Sequence, residues 1–307
     1  MISVIIPIVS AGKELHNLLA KLRTQTVQSE IIIVDSSSLE EASLIAVSFG
    51  ARLMKVKKGE FDHGGTRTLA AGEAKGDIVV FLTQDALPFD DRSIENLMRP
   101  FDDEAVGAAY GRQVPYPDAS PFAAHLRLFN YPETSSLRNI SDKEKFKIRT
   151  PFLSNAFSAY RKKAFFQVGG FKERLIVSED TYAGARLLLA GYKIAYAADA
   201  LVYHSHNHTA SQEFKRYFDI GVFHQSEGWI LEEFGKAEGE GMAYVRSAMG
   251  YLVNKGKYLL LPELAIRTAL KFAGYNLGRL YRKLPLSLIK RMSMQKDWWS
   301  QDKIVHK

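Results

Sequence analysis

From its first residues the chain alternates short apolar runs with longer amphipathic stretches. Ser3-Val-Ile-Ile-Pro7 and Glu30-Ile-Ile-Ile-Val-Asp35 are β-branched runs, each closed by a turn signal. Between them, residues 12–25 carry Leu15, Leu18, Leu19 and Leu22 at helical spacing. A second helix over Leu39 to Phe49 and a strand over Arg52 to Val56 follow. A third helix near Thr66 to Ala74 leads into a strand at Ile78 to Leu82. These strands are apolar on both faces and alternate with helices, which predicts a mostly parallel sheet flanked by helices on both sides.

Beyond residue 105 the pattern loosens. Val106 to Val114 reads as a strand, but residues 115–150 hold several prolines and many charges without a sustained period, predicting a mobile loop region with a short helix. Order returns at Leu153-Ser-Asn-Ala-Phe-Ser-Ala-Tyr160, followed by a helix over Arg161 to Val168 and the turn Gly169-Gly-Phe171. A helix over Glu179 to Ala190 stops at Gly191. Two strands, Lys193 to Ala197 and Ala200 to His204, close this part. From Ser211 onward the pattern is mainly helical, with basic and aromatic residues interleaved. The expected organisation is an α/β domain over residues 1–210 and a helical, basic region over 211–307.

The chain has 307 residues, 46% of them hydrophobic and 24% charged, ample for a sizeable core. A net charge of +7 points to an anionic partner: a nucleotide, a nucleic acid or an acidic lipid surface. With no cysteine, disulfides and thiolate metal sites are excluded, and a cytoplasmic setting is expected. Met1-Ile-Ser-Val-Ile-Ile-Pro7 reads as a strand, not as a signal peptide. The longest apolar stretches fall short of the roughly 20 residues a bilayer span needs.

Candidate chemistry gathers where strands end. In sheets of this kind ligands bind beyond the carboxyl ends of the strands. Pro7, Asp35, and Thr83 with Gln84 and Asp85 all stand at such ends. An Asp after a strand can simply cap the next helix, but two of them flanking a polar cluster point to a site. The turn after the first strand has a single glycine, so there is no Gly-x-Gly-x-x-Gly, and no P-loop occurs anywhere. Phosphates must be held otherwise, and a carboxylate-bound Mg²⁺ or Mn²⁺ on Asp85 is the candidate. In Phe61-Asp-His-Gly-Gly-Thr-Arg67, Gly64 permits close backbone approach, while His63 and Arg67 offer donors to phosphate or sugar oxygens.

The chain resembles the family 2 glycosyltransferases of GT-A fold. Ser3-Val-Ile-Ile-Pro7, Ile33-Val-Asp-Ser-Ser37, Thr83-Gln-Asp-Ala86, Gly169-Gly-Phe171 and Ser178-Glu-Asp180 occur in that family's order over about residues 1 to 210. Phe61 to Arg67 and His204-Ser-His206 are similar to the rhamnosyltransferase branch. The resemblance implies that Asp35 contacts the nucleobase, that Asp85 matches the metal-binding Asp of the Asp-x-Asp element, and that Asp180 is the base of an inverting transfer. Glu179 then orients the acceptor or the loop. Thr83 stands where many members have the first Asp, which leaves room for a histidine ligand. His204 is preferred, with His206 on the same face of an extended segment. One histidine is expected to touch metal or diphosphate, the others to be polar loop residues.

The implied function is transfer of L-rhamnose from dTDP-L-rhamnose to a growing, lipid-linked bacterial surface polysaccharide such as O-antigen. The alternatives are a UDP-hexose donor, or a non-catalytic nucleotide- or membrane-surface-binding protein. Between Lys255 and Lys296, ten Lys or Arg stand against one acid, Glu263, with leucines and aromatics between. That is the pattern of helices lying on an anionic membrane, and the expected partners are a nucleotide sugar, a glycan acceptor and the inner membrane face. No nucleic-acid motif accompanies the basic residues.

Overall fold

The computed structural model describes residues 1–36, 40–236 and 239–300. Ser37 of the quoted motif and Leu39 at the expected start of the second helix lie outside the described residues.

The first half is built as its sequence pattern requires. β1 (Ile2–Ile8), α1 (Lys13–Arg23), β2 (Glu30–Asp35), α2 (Glu40–Ser48), β3 (Arg52–Lys55), α3 (His63–Glu73) and β4 (Ile78–Leu82) succeed one another. β1 pairs in parallel with β2 on one side and β4 on the other, and β3 pairs in parallel with β2. Leu15, Leu18, Leu19 and Leu22 are the buried residues of α1. The β-branched residues of β1 and β2 are buried on both faces, because helices cover both.

The second half mixes directions. β5 (Leu87–Pro88), α4 (Ser93–Met98), β6 (Val106–Val114), α5 (Pro121–Asn130), β7 (Ser136–Arg138), α6 (Lys143–Phe146), β8 (Phe157–Arg161), α7 (Lys162–Gln167), α8 (Glu179–Leu189) and β9 (Lys193–Tyr203) complete one sheet in the order β3-β2-β1-β4-β8-β6-β9-β5, with β7 on β9. β8 runs antiparallel to both β4 and β6, whereas β6 and β9 are parallel. Residues 115–150, expected as a mobile loop region with a short helix, hold two helices and a strand, α5, β7 and α6. Ser120 caps α5 and Pro121 opens it, and Phe122 joins a small core with Ala248, Leu252 and Leu264. The place and packing of α5 were not legible because its partner residues lie more than a hundred positions later.

The two strands expected at Lys193–Ala197 and Ala200–His204 are one strand with a bulge. The register against β6 shifts between Gly111 and Arg112. Gly111 is required there: a Cβ would come within 2.5 Å of the Ala200 carbonyl oxygen.

The C-terminal chain forms α9 (Ala210–Ser226), α10 (Gly228–Phe234), α11 (Glu240–Asn254), α12 (Leu261–Arg279) and α13 (Leu286–Met292). Phe218, Val222, Phe223 and Trp299 belong to the same hydrophobic core as Phe81, Tyr160, Phe165 and Phe171. The helical region is thus packed on the sheet through shared apolar burial. No helix among the described residues is long and apolar enough to cross a membrane.

Candidate active site

Two groups of polar side chains meet beyond the carboxyl ends of β1, β2, β4, β6 and β9. The first is centred on Asp85, in the turn after β4. His204 and His206 follow the end of β9, and the Nε2 atom of each lies 3.4 Å from Asp85 Oδ2. One ligand atom from each of these three residues falls within 4.8 Å of the others. Both histidines stand against Asp85. His208 stacks on His206 without joining the group, at a ring separation of 5.2 Å.

The tautomer of His204 follows from its neighbours. Arg127 can only donate, and its guanidinium donates to Gln113 Oε1 at 2.8 Å. That oxygen also lies 2.7 Å from His204 Nδ1, which must therefore carry the proton. The Gln113 amide nitrogen donates to Ser154 Oγ at 2.8 Å, consistent with the same orientation. His204 Nε2 is then a bare lone pair facing the Asp85 carboxylate. Burial first, then His204 and the Arg127 charge, lower the His206 imidazole to about 4 against the pull of Asp85, and burial also lowers His204, so both are neutral near pH 7.

A carboxylate and two neutral imidazoles, one fixed in orientation by a buried glutamine, fit a divalent cation. Without one, a lone pair and a carboxylate oxygen would face each other at 3.4 Å with nothing between.

The second group lies at the start of α8. Ser178 adopts a left-handed φ of 66° and sets Glu179 and Asp180 in the first helical turn, where the helix dipole favours negative charge. Asn155 holds both. Its backbone N–H donates to Asp180 Oδ2 at 3.1 Å, and its side-chain amide donates to Glu179 Oε1 at 3.2 Å. Asn155 is itself buried, its Oδ1 accepting from Ser158 and Tyr160 hydroxyls at 2.9 and 3.0 Å. Glu179 is further paired with Arg67 at 3.3 Å. Burial raises both carboxyls, yet the outcomes diverge. Arg67 and His63 bring Glu179 below its usual value, while burial and the Glu179 charge push Asp180 up to about 7.

Helix α3 begins inside the segment 61–67: Asp62 caps it by accepting from the Gly65 N–H, and His63 is the first helical residue. Arg67 and His63 are turned toward Glu179. Burial, then the Arg67 charge, lowers the His63 imidazole. Gly64 has a reason within the fold, since a Cβ there would lie 2.3 Å from the Lys172 carbonyl oxygen. Asp35 is fully buried at the end of β2, level with Ile8 after Pro7 on β1. Gln84 donates to the Ser10 carbonyl at 2.8 Å, tying the β4 exit to the β1 exit. Thr83 donates its N–H to Ala156.

Sequence reasoning missed Asn155 and Gln113. Asn155 and Ser154 are adjacent, so one short segment carries hydrogen bonds to both groups. The available signal was two consecutive polar residues inside the apolar run from Leu153 to Tyr160.

A mixed sheet flanked by helices, with an Asp-His-His group able to hold a cation and a buried pair of carboxylates gathered at its carboxyl edge, is the architecture of a GT-A glycosyltransferase. Residues 3–169 match Glycosyl transferase family 2, and the chain belongs to that family. It is 41% identical over 302 residues to the O-antigen chain rhamnosyltransferase RfbN of Salmonella typhimurium, covering 97% of this chain and 96% of that one. It is 42% identical over 301 residues to the O-antigen chain rhamnosyltransferase WbaN of Salmonella anatum, covering 97% and 95%. Among solved structures it is similar to the mannosyltransferase PcManGT from Pyrobaculum calidifontis in complex with GDP-Man and Mn²⁺, with a TM-score of 0.58 and 17% identity over 98% of this chain and 88% of that one. S. aureus TarS 1–349 in complex with UDP follows at a TM-score of 0.54 and 16% identity over 92% and 91%.

Proposed function

We propose that the protein is an inverting, metal-dependent rhamnosyltransferase that moves L-rhamnose from dTDP-L-rhamnose to the lipid-linked glycan of a growing O-antigen. The relatives named above support the sugar and the polymer. The observation that carries the chemistry is the frame shared by the two groups: Ser154 is bonded through Gln113 to His204, and its neighbour Asn155 holds Asp180.

Asp85, His204 and His206 would hold Mg²⁺ or Mn²⁺, which when bound stabilises negative charge on the departing diphosphate. Asp180 acts as the base. With its Oδ2 held by Asn155 N–H and its Oδ1 by Thr181 N–H at 2.7 Å, it accepts the proton of the acceptor hydroxyl. The acceptor oxygen bonds to the anomeric carbon, the carbon–oxygen bond to diphosphate breaks with its electron pair leaving on the nucleotide, and configuration inverts. Glu179, already paired with Arg67, stays ionised and orients the site. Asp35 contacts the base of the nucleotide, while Pro7, His63, Gly64, Arg67, Thr83 and Gln84 border the nucleotide sugar. Residues 1–210 form the catalytic part, and 211–307 face the acceptor and the inner membrane surface.

Calorimetric titration of dTDP, UDP and GDP, each with and without Mn²⁺, tests the reading. Metal-dependent binding that favours dTDP and disappears in Asp85→Ala is expected. A preference for UDP would discard rhamnose, and absence of any nucleotide binding would discard the enzyme.

A further inference from the structure

Helix α12 departs from the usual amphipathic order, carrying charge beside Leu264 on its buried side. Its charged Arg267 and Lys271 are 9% and 8% exposed, whereas Phe272 is 73% exposed and Ile266 58%. The buried side is held by specific contacts. Arg267 and Lys271 both pair with Glu213 of α9 at 3.2 Å, and Arg267 donates to the His208 carbonyl at 2.9 Å. Gly274 and Gly278 lie against the α9 backbone, where a Cβ would meet the carbonyl oxygens of Phe214 and Phe218 at 2.4 and 2.1 Å. Rotation of α12 about its axis would break the ion pairs and force these backbones apart, so the apolar face has to point outward.

That face is continued by its neighbour. Val245 and Met249 of α11, with Leu261, Ala265, Ala269 and Phe272 of α12, line an open apolar groove of about 550 Å³. At the turn between the helices Leu259 is 94% exposed, beside exposed Tyr258. Large apolar side chains grouped in this way mark a contact surface. Charge identifies the partner. Residues 241–262 contain Arg246, Lys255 and Lys257 and no Asp or Glu. A symmetric contact with a second copy would bring these cations against themselves, whereas anionic headgroups complement them.

We propose that the α11–α12 hairpin is a membrane-docking element. Leu259 and Tyr258 enter the headgroup boundary of an anionic phospholipid bilayer, the groove accepts one of its acyl chains, and Arg246, Lys255 and Lys257 meet lipid phosphates. The inference deepens the reading of 211–307 as membrane-facing and rests on it for why a membrane is there, but docking is tested without any sugar.

The experiment uses the full chain with vesicles of phosphatidylglycerol and phosphatidylethanolamine, and with neutral phosphatidylcholine vesicles, read by co-pelleting. Binding to the anionic vesicles is expected, falling by about tenfold or more in Leu259→Glu with Phe272→Glu, since each replaces an apolar side chain that the bilayer would bury. Leu44→Glu, an exposed apolar position on α2, is expected to bind like the unaltered protein. Metal-dependent dTDP binding is measured on each variant, so a misfolded variant and a failed glycosyltransferase reading are both seen separately from docking. As a second measurement, Phe272→Trp fluorescence is expected to be quenched by brominated lipids. Equal pelleting of the double variant, equal pelleting on neutral vesicles, or a dimer in solution that the double variant dissociates would each overturn the proposal.

Discussion

Glu179→Gln separates the roles of two adjacent carboxylates. Asp180 is raised to about 7 by burial first and by the Glu179 charge second. Two unit charges roughly 6 Å apart at an effective dielectric of about 20 repel by about 3 kcal/mol, equivalent to about two pH units. Glutamine keeps the shape and can still meet Asn155 while removing that charge. Arg67, relieved of its partner, adds further attraction for an ionised Asp180. A base works when deprotonated, so kcat/KM of the unaltered enzyme should rise with pH through about 7 and then level off. In Glu179→Gln the limb should move to about pH 5. Activity at pH 6, relative to the plateau, should then rise from about a tenth to nearly full, while the plateau drops because the base is weaker. Transfer of labelled sugar to acceptor across pH 5–9 reads the limb, and carboxyl carbon NMR of labelled aspartate reads Asp180 without any acceptor. A limb that stays in place or moves to higher pH would refute the assignment of Asp180 as the titrating base.

Two further outcomes test the supporting residues. Gln113→Leu removes the acceptor that holds the His204 Nδ1 proton, and Mn²⁺ affinity measured by electron paramagnetic resonance should fall about 10- to 100-fold with the fold retained; unchanged affinity would show that Gln113 does not orient the ligand. Gly278→Ala places a Cβ 2.1 Å from the Phe218 carbonyl oxygen and should destabilise the protein by about 2–3 kcal/mol in chemical denaturation, and a variant as stable as the original would mean that the α9–α12 approach can relax freely.

The legible part of the site was the part governed by local rules. Asp35 and Asp85 follow apolar strands that run parallel, and residues at the exits of such strands share one edge of the sheet. His204 and His206 alternate in an extended segment after β9, which by itself puts them on one side. Asn155 was not legible, because β8 runs antiparallel to β4. In a reversed strand the lead-in, not the exit, reaches the site edge, and direction is decided by pairing with distant strands. Gln113 likewise looks like any polar residue in a strand until Arg127 and His204 are brought to its two sides.

What the sequence by itself determined is the alternation of strands and helices, the family, and the carboxylates and histidines that end the strands, since each depends on spacing along a few neighbouring residues. What only the tertiary structure decided is which group answers which. Arg267 and Lys271 of α12 are among the cations whose pattern is that of a membrane-lying helix, yet these two are buried, because Glu213 comes from a helix some fifty residues earlier to neutralise them. Glu179 and Asp180 are neighbours of the same chemical type, yet Arg67, over a hundred residues away in the chain, makes one a fixed anion and leaves the other to titrate near neutrality. Periodicity tells a helix it has two faces; the electrostatics of burial, settled only when distant elements meet, tells which face is inside.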